Sequence, residues 1–384
     1  MGAACAAGVR PSRAPRPEGA PRPTAADGAV VGVDLGGTKI AAALVGSDGA
    51  LRSATLRTPT PARRGPDAVL DAVADLVERV VVGAAAPGRP GAVAAVGIGS
   101  AGVIDAERGA VLSATDAITG WAGTDVAGGV SARLAAGRVR APDGAAPLVH
   151  VDNDVNAHAA GEARFGAGRG RSSALVVAVG TGVGAALVLD GRVHRGAHFL
   201  AGEMGHMPCG EAQGETCTCG RPGHLEAVAA GPQIARRYRR ATGDETVTGA
   251  AQVERLAEAG DAVAQRVYRR AALALGRALA GAVTVLDPEV VIVSGGLARS
   301  GELWWGPLRR TLRGELVDLV AERIEILPAA LGGAAPIIGA AHEARLRLGA
   351  APGPGPDAGP GPARPGTGSD TSPDPDTRPR QEAP

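Results

Sequence analysis

The sequence predicts an α/β fold made of two related halves that face a cleft. Apolar segments with strand character alternate with segments whose apolar residues recur at helical spacing. A unit of strand, glycine turn and strand occurs at residues 30–45 and again at 173–189, and a third glycine turn follows the apolar run at 290–293. Glycine turns are common in a chain with 59 glycines, but their repeated position directly after apolar strands favours an internal repeat.

The elements of the first half are predicted from apolar spacing and turn residues. Two apolar runs separated by Gly36-Gly37 are typical of a β-hairpin, and Pro66 opens a segment with apolar residues at helical spacing. The expected elements are the strand pair within 30–45, a helix over 66–82, strands over 92–98 and 148–152, and a helix over 155–164.

The second half is predicted from the same signals, with Asp287-Pro288 separating a long helical pattern from the next strand. The expected elements are strands over 173–179 and 185–189, a helix over 261–283, a strand over 290–293 and a helix over 337–348. Residues 1–28 and 350–384 are dominated by Pro, Gly, Ala, Arg and Asp. Such segments have little to bury, so both are expected to be disordered tails.

Composition and charge exclude several classes of protein. The formal net charge is +1, from 40 basic and 39 acidic side chains, which argues against a dedicated nucleic-acid or membrane-surface binder. No apolar run is long enough to span a bilayer, and the N-terminus lacks the apolar core of a signal peptide. Four cysteines do not make a disulfide framework in a chain of 384 residues. The sequence therefore predicts a cytoplasmic protein with reduced thiols.

Two glycine turns have the composition of phosphate-binding loops. In residues 34–39 (Asp-Leu-Gly-Gly-Thr-Lys), glycines let backbone N–H groups approach an anion, and the aspartate can hold Mg²⁺ directly or through water. Lys39 is the only lysine, which reflects either a bias towards arginine or a need for a compact ammonium group. Residues 180–184 (Gly-Thr-Gly-Val-Gly) follow the same logic. Together the loops can clamp a polyphosphate, although each alone is equally compatible with a hairpin turn.

Asn153-Asp154 follows a short apolar strand and precedes a helical pattern. A carboxylate at a strand end can accept a proton from a substrate hydroxyl, and phosphoryl transfer otherwise needs mainly positioning and charge neutralisation. Asn and Asp are also good N-terminal caps of helices, and the pair by itself favours capping over a role as a base.

A dense group of metal-ligand types lies within residues 206–224. His206, Cys217, Cys219 and His224 supply two nitrogens and two sulfurs, which matches a closed, tetrahedral, structural zinc site, and Cys209 is a spare candidate ligand. Glu203 and Glu226 flank these residues. Carboxylates held near a cleft suit sugar hydroxyls, although they are also common as solvated surface charges.

On these motifs the sequence resembles the ROK family of sugar kinases and sugar-responsive repressors, within the actin-like ATPase superfamily. The resemblance covers about residues 29–348, through the motifs at 34–39, 97–105, 153–162, 180–184 and 203–206 and the zinc loop at 206–224. It implies a two-lobed, ribonuclease H-like fold with an interdomain cleft and a structural zinc loop. The implied lobes are a small one over 29–152, completed by the helix at 337–348, and a large one over 153–336.

The resemblance also implies roles for individual residues. Asp154 matches the family's catalytic base. The implied sugar contacts are Gly102, Asn153, Asp154, Glu203, His206 and Glu226. The implied ATP-binding residues are Asp34, Gly36, Gly37, Thr38, Lys39, Gly180, Thr181, Gly182, Gly184, Gly295 and Gly296. The implied zinc ligands are His206, Cys217, Cys219 and His224.

Two positions depart from the family pattern. The family's third zinc cysteine is replaced by His224, which remains a competent ligand. The family's sugar-contacting asparagine is not evident upstream of Gly120-Trp121, where Thr115 and Asp116 are the polar candidates. The identity of the sugar is therefore open at this stage.

The expected function is that of an ATP- and Mg²⁺-dependent kinase acting on the 6-hydroxyl of a hexose, with glucose as the first candidate. N-Acetylmannosamine, N-acetylglucosamine and fructose are alternatives, and polyphosphate is an alternative donor. A sugar-responsive repressor is disfavoured, because the 28 residues before the first strand cannot form a winged helix-turn-helix. A non-catalytic sugar sensor is disfavoured by the complete set of loops. The resemblance implies a homodimer or a homotetramer.

Overall fold

The computed structural model describes residues 30–85, 92–137 and 139–349. Within this range the chain forms two five-stranded sheets and a two-stranded sheet, with helices packed on them. The predicted α/β class is confirmed. The segments predicted as tails, at 1–28 and 350–384, lie outside the described residues.

The first sheet has the strand order β3-β2-β1-β4-β7, with antiparallel pairing among β1, β2 and β3 and parallel pairing of β1 with β4 and of β4 with β7. Strands β5 and β6 form a separate antiparallel pair. The elements are β1 (Val30–Leu35), β2 (Lys39–Val45), β3 (Leu56–Pro59), α1 (Pro66–Ala84), β4 (Ala95–Ser100), β5 (Val103–Asp105), β6 (Ala110–Ser113), α2 (Val126–Ala136), β7 (Leu148–Asn153) and α3 (Asp154–Phe165).

The second sheet has the order β10-β9-β8-β11-β12 and repeats the pairing of the first, antiparallel on one side and parallel on the other. The sheets thus share one arrangement, as the repeated sequence unit predicts. The elements are β8 (Ala174–Val179), β9 (Val183–Leu189), β10 (Arg192–His194), α4 (Glu226–Ala229), α5 (Gly231–Thr242), α6 (Ala250–Glu258), α7 (Ala262–Leu286), β11 (Val290–Ser294), α8 (Glu302–Gly314), α9 (Asp318–Ala321), β12 (Glu325–Pro328) and α10 (Ala335–Gly349).

The last helix, α10, closes the core of the first sheet. A Cβ on Gly97 of β4 would lie 1.9 Å from the carbonyl oxygen of Ala340, and a Cβ on Gly339 would lie 1.7 Å from that of Ala157 in α3. Only glycine permits these approaches. Buried Ile337 and Ile338 pack with Val30 of β1 in the same cluster. The packing of α10 on both the sheet and α3 fixes the position of α3.

The second sheet is covered by a larger core in which buried residues of α7 and α8 pack against β8 and β11. The sequence patterns predict no element over 302–328, where the structure has α8, α9 and β12. Pro307 lies inside α8, and an internal proline argues against a helix when the sequence is considered alone. Among the described residues, no helix has the length and apolar character needed to cross a membrane.

Candidate active site

The site is built around the first turn of α3, where Asn153 and Asp154 have separate tasks. Asn153 caps the helix, since its Oδ1 accepts the N–H groups of Val155 (2.9 Å) and Asn156 (3.2 Å). Its Nδ2 donates to the carbonyl of Gly102 (2.9 Å), which adopts a φ of +102°. The capping interpretation of the pair is therefore correct for Asn153, and the Asp154 carboxyl is not needed as the cap.

The Asp154 carboxyl has a raised pKa. Burial raises the pKa to about 6, the negative charges of Asp34 and Glu203 add to the effect, and the N–H of Val155 opposes it. Burial also raises the pKa of Asp34, opposed by the charges of Lys39 and Arg57. Two acidic groups from separate parts of the sequence, Asp34 and Glu203, thus act on the Asp154 carboxyl. A strongly perturbed carboxyl beside other acids is typical of a functional site.

The first glycine turn connects β1 and β2 beside Asp34. The N–H of Gly36 donates to the carbonyl of Lys39 (3.1 Å), and the Thr60 hydroxyl donates to the carbonyl of Gly36 (2.7 Å). Thr38 and Lys39 are exposed, so their polar groups are free to meet an anion. The predicted hairpin and a phosphate-binding loop are compatible, because the hairpin leaves these side chains in solvent.

The second glycine turn, at residues 180–182, connects β8 and β9 and contacts the third. A Cβ on Gly295, whose φ is +87°, would lie 2.3 Å from the carbonyl oxygen of Val179, so only glycine fits there. The carbonyl of Gly180 accepts the N–H of Gly231 (2.8 Å). Gly184, predicted as part of the turn, lies within β9 instead, because the strand begins at Val183.

Gly180, Gly231 and Gly296 line a cavity of about 410 Å³, a size ordinary for a small-molecule site. Tyr268 contributes to its wall, and its hydroxyl lies 2.5 Å from that of Ser300. The other lining residues are Thr181, Pro232, Thr248, Gly249, Ala250, Ala251, Glu254, Leu297 and Arg299. Only Gly180, Thr181 and Gly296 are among the sequence-predicted site residues. The Gly231-Pro232 pair at the start of α5 is the one local signal that could have identified more.

Glu203 and Glu226 lie close to the group of candidate zinc ligands, since Glu203 contacts His206 and Glu226 contacts Cys217. His206 Nε2 is 3.8 Å from a Glu203 carboxylate oxygen. Burial raises the pKa of Glu203, and the charge of Glu226 raises it further, whereas His206 opposes the shift. Glu226 Oε2 accepts the N–H of Val183 (3.0 Å), and its Oε1 accepts the Thr218 hydroxyl. Glu226 therefore connects the zinc-type loop to the strand after the second glycine turn.

The four predicted zinc ligands are brought together. One ligand atom from each of His206, Cys217, Cys219 and His224 lies within 4.8 Å of all the others. Sγ of Cys217 is 3.7 Å from Nδ1 of His206, and Sγ of Cys219 is 3.3 Å from Nδ1 of His224. A tetrahedral zinc site has ligand atoms about 3.6 Å apart, so this donor set fits zinc. Cys209 is not in the group, and its thiol donates to Glu211 instead (3.3 Å).

The segment that departs from the family pattern lies beside the site. Thr115 and Asp116 are exposed, and the Cβ of neighbouring Ala117 would be 3.1 Å from a Cβ on Gly37. Trp121 is buried, and its indole N–H donates to the Ser100 hydroxyl (3.3 Å). Both polar candidates are thus available to a ligand.

Comparison with known proteins gives the context of this geometry. The model of the ROK family matches residues 30–345. A glucokinase of Streptomyces coelicolor is 33% identical over 334 residues, covering 83% of this chain and 98% of the relative. The structure of a ROK hexokinase from Thermus thermophilus superposes with a TM-score of 0.71 at 33% identity, covering 84% of this chain and 99% of that one. A ROK family glucokinase from Streptomyces griseus, solved with glucose and AMPPNP, gives 0.68 at 32% identity, with coverage of 83% and 100%.

Proposed function

The chain belongs to the ROK family, and we propose that it is an ATP-dependent kinase that phosphorylates the 6-hydroxyl of glucose. The glucokinase relative and the neighbour solved with glucose and AMPPNP support this activity. The observation that carries the proposal is the Asp154 carboxyl, with its pKa raised to about 6 at the first turn of α3. Such a group is mostly ionised at neutral pH and still accepts a proton readily.

The reaction is an in-line phosphoryl transfer. Asp154 accepts the proton of the sugar 6-hydroxyl as that oxygen forms a bond to the γ-phosphorus of ATP. The bond between the γ-phosphorus and the bridging oxygen breaks, and ADP leaves with the electron pair. The products are the sugar 6-phosphate, ADP and the proton on Asp154, which then passes to solvent. Positioning and charge neutralisation supply most of the catalysis in reactions of this type.

The phosphate side of the site is assigned to the glycine turns. Backbone N–H groups of residues 37–38 and 181–182 would face the phosphates, because those of Gly36 and Gly180 donate within their own turns. Lys39 supplies a point charge, and adenosine occupies the cavity beside Gly295-Gly296. Gly184 supports the second turn from within β9. Asp34 would hold Mg²⁺, since carboxylate oxygen is a ligand that this ion prefers. When bound, Mg²⁺ supplies neutralisation of the charge on the β- and γ-phosphates.

The sugar side is assigned to Gly102, Asn153, Glu203, His206 and Glu226. The zinc site on His206, Cys217, Cys219 and His224 is structural, because four protein ligands leave no open position. It would hold the His206 ring and the loop beside Glu226 in place. We further propose the two lobes given by the family resemblance, a homodimer or homotetramer, and a cytoplasmic location, where cysteine thiols stay reduced.

The proposal is tested by coupled ADP release with Mg-ATP against glucose, N-acetylmannosamine, N-acetylglucosamine, mannose and fructose. Wild type is compared with Asp154→Ala and with Asp318→Ala, the same change at an exposed carboxylate at the start of α9. Turnover on glucose that disappears only in D154A supports the kinase, the base and the sugar together. Turnover on an N-acetylated sugar or fructose alone would replace glucose as the substrate. A folded, zinc-loaded wild type without turnover on any sugar would overturn the proposal.

A further inference from the structure

A buried ion-pair cluster lies next to the first turn of α3, and the reaction above gives it no role. Arg195, directly after β10, donates from Nε (2.9 Å) and Nη2 (2.6 Å) to Oδ2 of Asp152. Its Nη2 also donates to Oε2 of Glu343 in α10 (2.6 Å). The side chains of Asp152 and Glu343 are 2% and 10% exposed, and that of Arg195 is 25% exposed. One guanidinium thus joins β10 of the second sheet to β7 of the first and to α10.

The other oxygen of Asp152 leads to the proposed base. Oδ1 accepts the N–H of Asn153 (2.8 Å) and the Nδ2 of Asn156 (2.9 Å). These two residues are the cap and the first turn of α3, the turn that carries Asp154. With both oxygens engaged, the Asp152 carboxylate has a single orientation. That orientation sets where α3 begins.

Arg195 also begins the loop that ends at Glu203. The carbonyl of Arg195 accepts the N–H of Ala201 (3.1 Å), which closes the loop on itself. At the far end, the carbonyl of Gly202 accepts the N–H of Ala185 in β9 (2.8 Å). The loop that carries Glu203 is therefore fixed at one end by β9 and at the other by the Arg195 side chain.

Net stability alone does not explain such a cluster. Removing charges from water costs several kcal/mol per ion, and apolar replacements of buried ion pairs are often neutral or stabilising. What a guanidinium provides that an apolar side chain cannot is a rigid fork that fixes the direction of two carboxylates at once. Arg195 uses that fork on groups that lead to Asp154 and to Glu203.

We propose that Arg195 is a positioning residue for phosphoryl transfer, which holds the segments carrying Asp154 and Glu203 in register through Asp152 and Glu343. This role rests on the proposed kinase activity. Arg195 acts through Asp152, and only Asp154 touches the reacting hydroxyl.

The test compares kcat and the KM values for glucose and ATP in Arg195→Met, Arg195→Lys and Glu343→Gln. Arg171→Met is the matched control, because Arg171 also bridges to a carboxylate (Glu325, 2.8 Å) with similar exposure of 30%, but its partner lies in β12 and not in β7 or α10. We expect kcat of R195M to fall on the order of 100-fold, the cost of misplacing a catalytic group by about 1 Å. The KM for ATP should stay within twofold, because Arg195 does not line the nucleotide cavity.

Two further readouts separate positioning from general structural support. R195K keeps the charge but not the fork, so its kcat should lie between those of R195M and wild type, about tenfold down. Added guanidinium ion should partly restore kcat of R195M. E343Q keeps an acceptor oxygen but removes the charge that helps to orient the guanidinium, so its kcat should fall about tenfold, less than that of R195M. Thermal melts establish that each variant is folded. If R195M does not fold, kcat of R195K is compared with that of wild type instead.

A folded R195M, or R195K in its place, with kcat within twofold of wild type overturns the positioning role and leaves the kinase activity intact. A loss of kcat matched by an equal rise in the KM for ATP also overturns it, since that pattern reports general disorder. An inactive wild type is a different failure, because it overturns the proposed function and the positioning role with it.

Discussion

At the scale of single residues, Asn153 and Asp154 have different roles, whereas the sequence allows either of them to cap α3. The amide side chain accepts the N–H groups of Val155 and Asn156 and fixes Gly102, so the carboxyl next to it is not required as the cap and shares only the N–H of Val155 (2.9 Å). Burial and neighbouring negative charge then disfavour the ionised form of that carboxyl. Its pKa moves towards the range in which a general base is effective.

The raised pKa of Asp154 predicts an acidic limb in the pH profile. The ionised form is the base, so kcat/KM for the sugar should be constant above pH 7 and fall tenfold per unit below about 6. Steady-state rates from pH 5 to 9, with zinc content checked at each pH, measure this. Activity that is unchanged between pH 7 and pH 5 would contradict the assignment, and Asp318→Ala should reproduce the wild-type profile.

At the scale of elements, α3 is held at both ends by carboxylates that point into the protein. Asp152 orders its first turn, and fully buried Glu162 orders its last. Glu162 accepts the N–H groups of Ala167 (2.9 Å), Ala330 (3.0 Å) and Leu331 (2.7 Å). The segment that leads into α10 is therefore attached to the helix that carries Asp154.

Glu162→Ala should lower the free energy of unfolding on the order of 3 kcal/mol, because three backbone N–H groups lose a charged acceptor in the interior. Denaturant unfolding followed by circular dichroism measures the change. Glu325→Ala is the matched control, since Glu325 is half-exposed and its pair with Arg171 should be worth about 1 kcal/mol or less. An equal loss of unfolding free energy in the two variants would show that the contacts of Glu162 do not stabilise the fold more than an exposed ion pair does.

We expect the loop at 206–224 to be ordered by a bound zinc ion and to lose its order when that ion is removed. We expect about one zinc ion per chain by elemental analysis, little in Cys217→Ser, and full occupancy in Cys209→Ser, because Cys209 lies outside the ligand group. Chelation should raise the KM for the sugar more than the KM for ATP, since the loop adjoins Glu203 and Glu226. Zinc retained in C217S, or lost in C209S, would contradict this ligand set.

At the scale of the whole molecule, the two five-stranded sheets have the same arrangement of strands, and each contributes different residues to the candidate site. Asp34 lies next to the last residue of β1 in the first sheet, whereas the turns at 180–182 and 295–296 follow β8 and β11 of the second. In the proposed function, the sugar and the nucleotide therefore bind between groups that belong to different sheets. Binding of the two ligands should be coupled through closure of the lobes.

Isothermal titration with a non-hydrolysable ATP analogue tests this coupling. Saturating analogue should tighten glucose binding by at least fivefold, the lower end of typical coupling of about 1–3 kcal/mol, and glucose should tighten the analogue by the same factor. D318A should show the same coupling as wild type. Glucose affinity that is independent of the analogue would contradict closure around both ligands.

The sequence by itself determined the repeat and the α/β class and nominated the residues of the candidate site, because each depends on short-range patterns. Apolar runs beside glycine turns predicted β1, β2, β8, β9 and β11, and the spacing of two cysteines and two histidines predicted a group that the fold brings together. Only the tertiary structure decided that Asn153 and not Asp154 caps α3, and that Gly184 lies in a strand. It also showed the cavity around Gly231 and Tyr268, to which we assign the nucleotide, and the Arg195 cluster. The cavity and the cluster are formed by residues far apart in the sequence. Helix α8 forms although it contains Pro307, because tertiary packing outweighs the low helix propensity of proline.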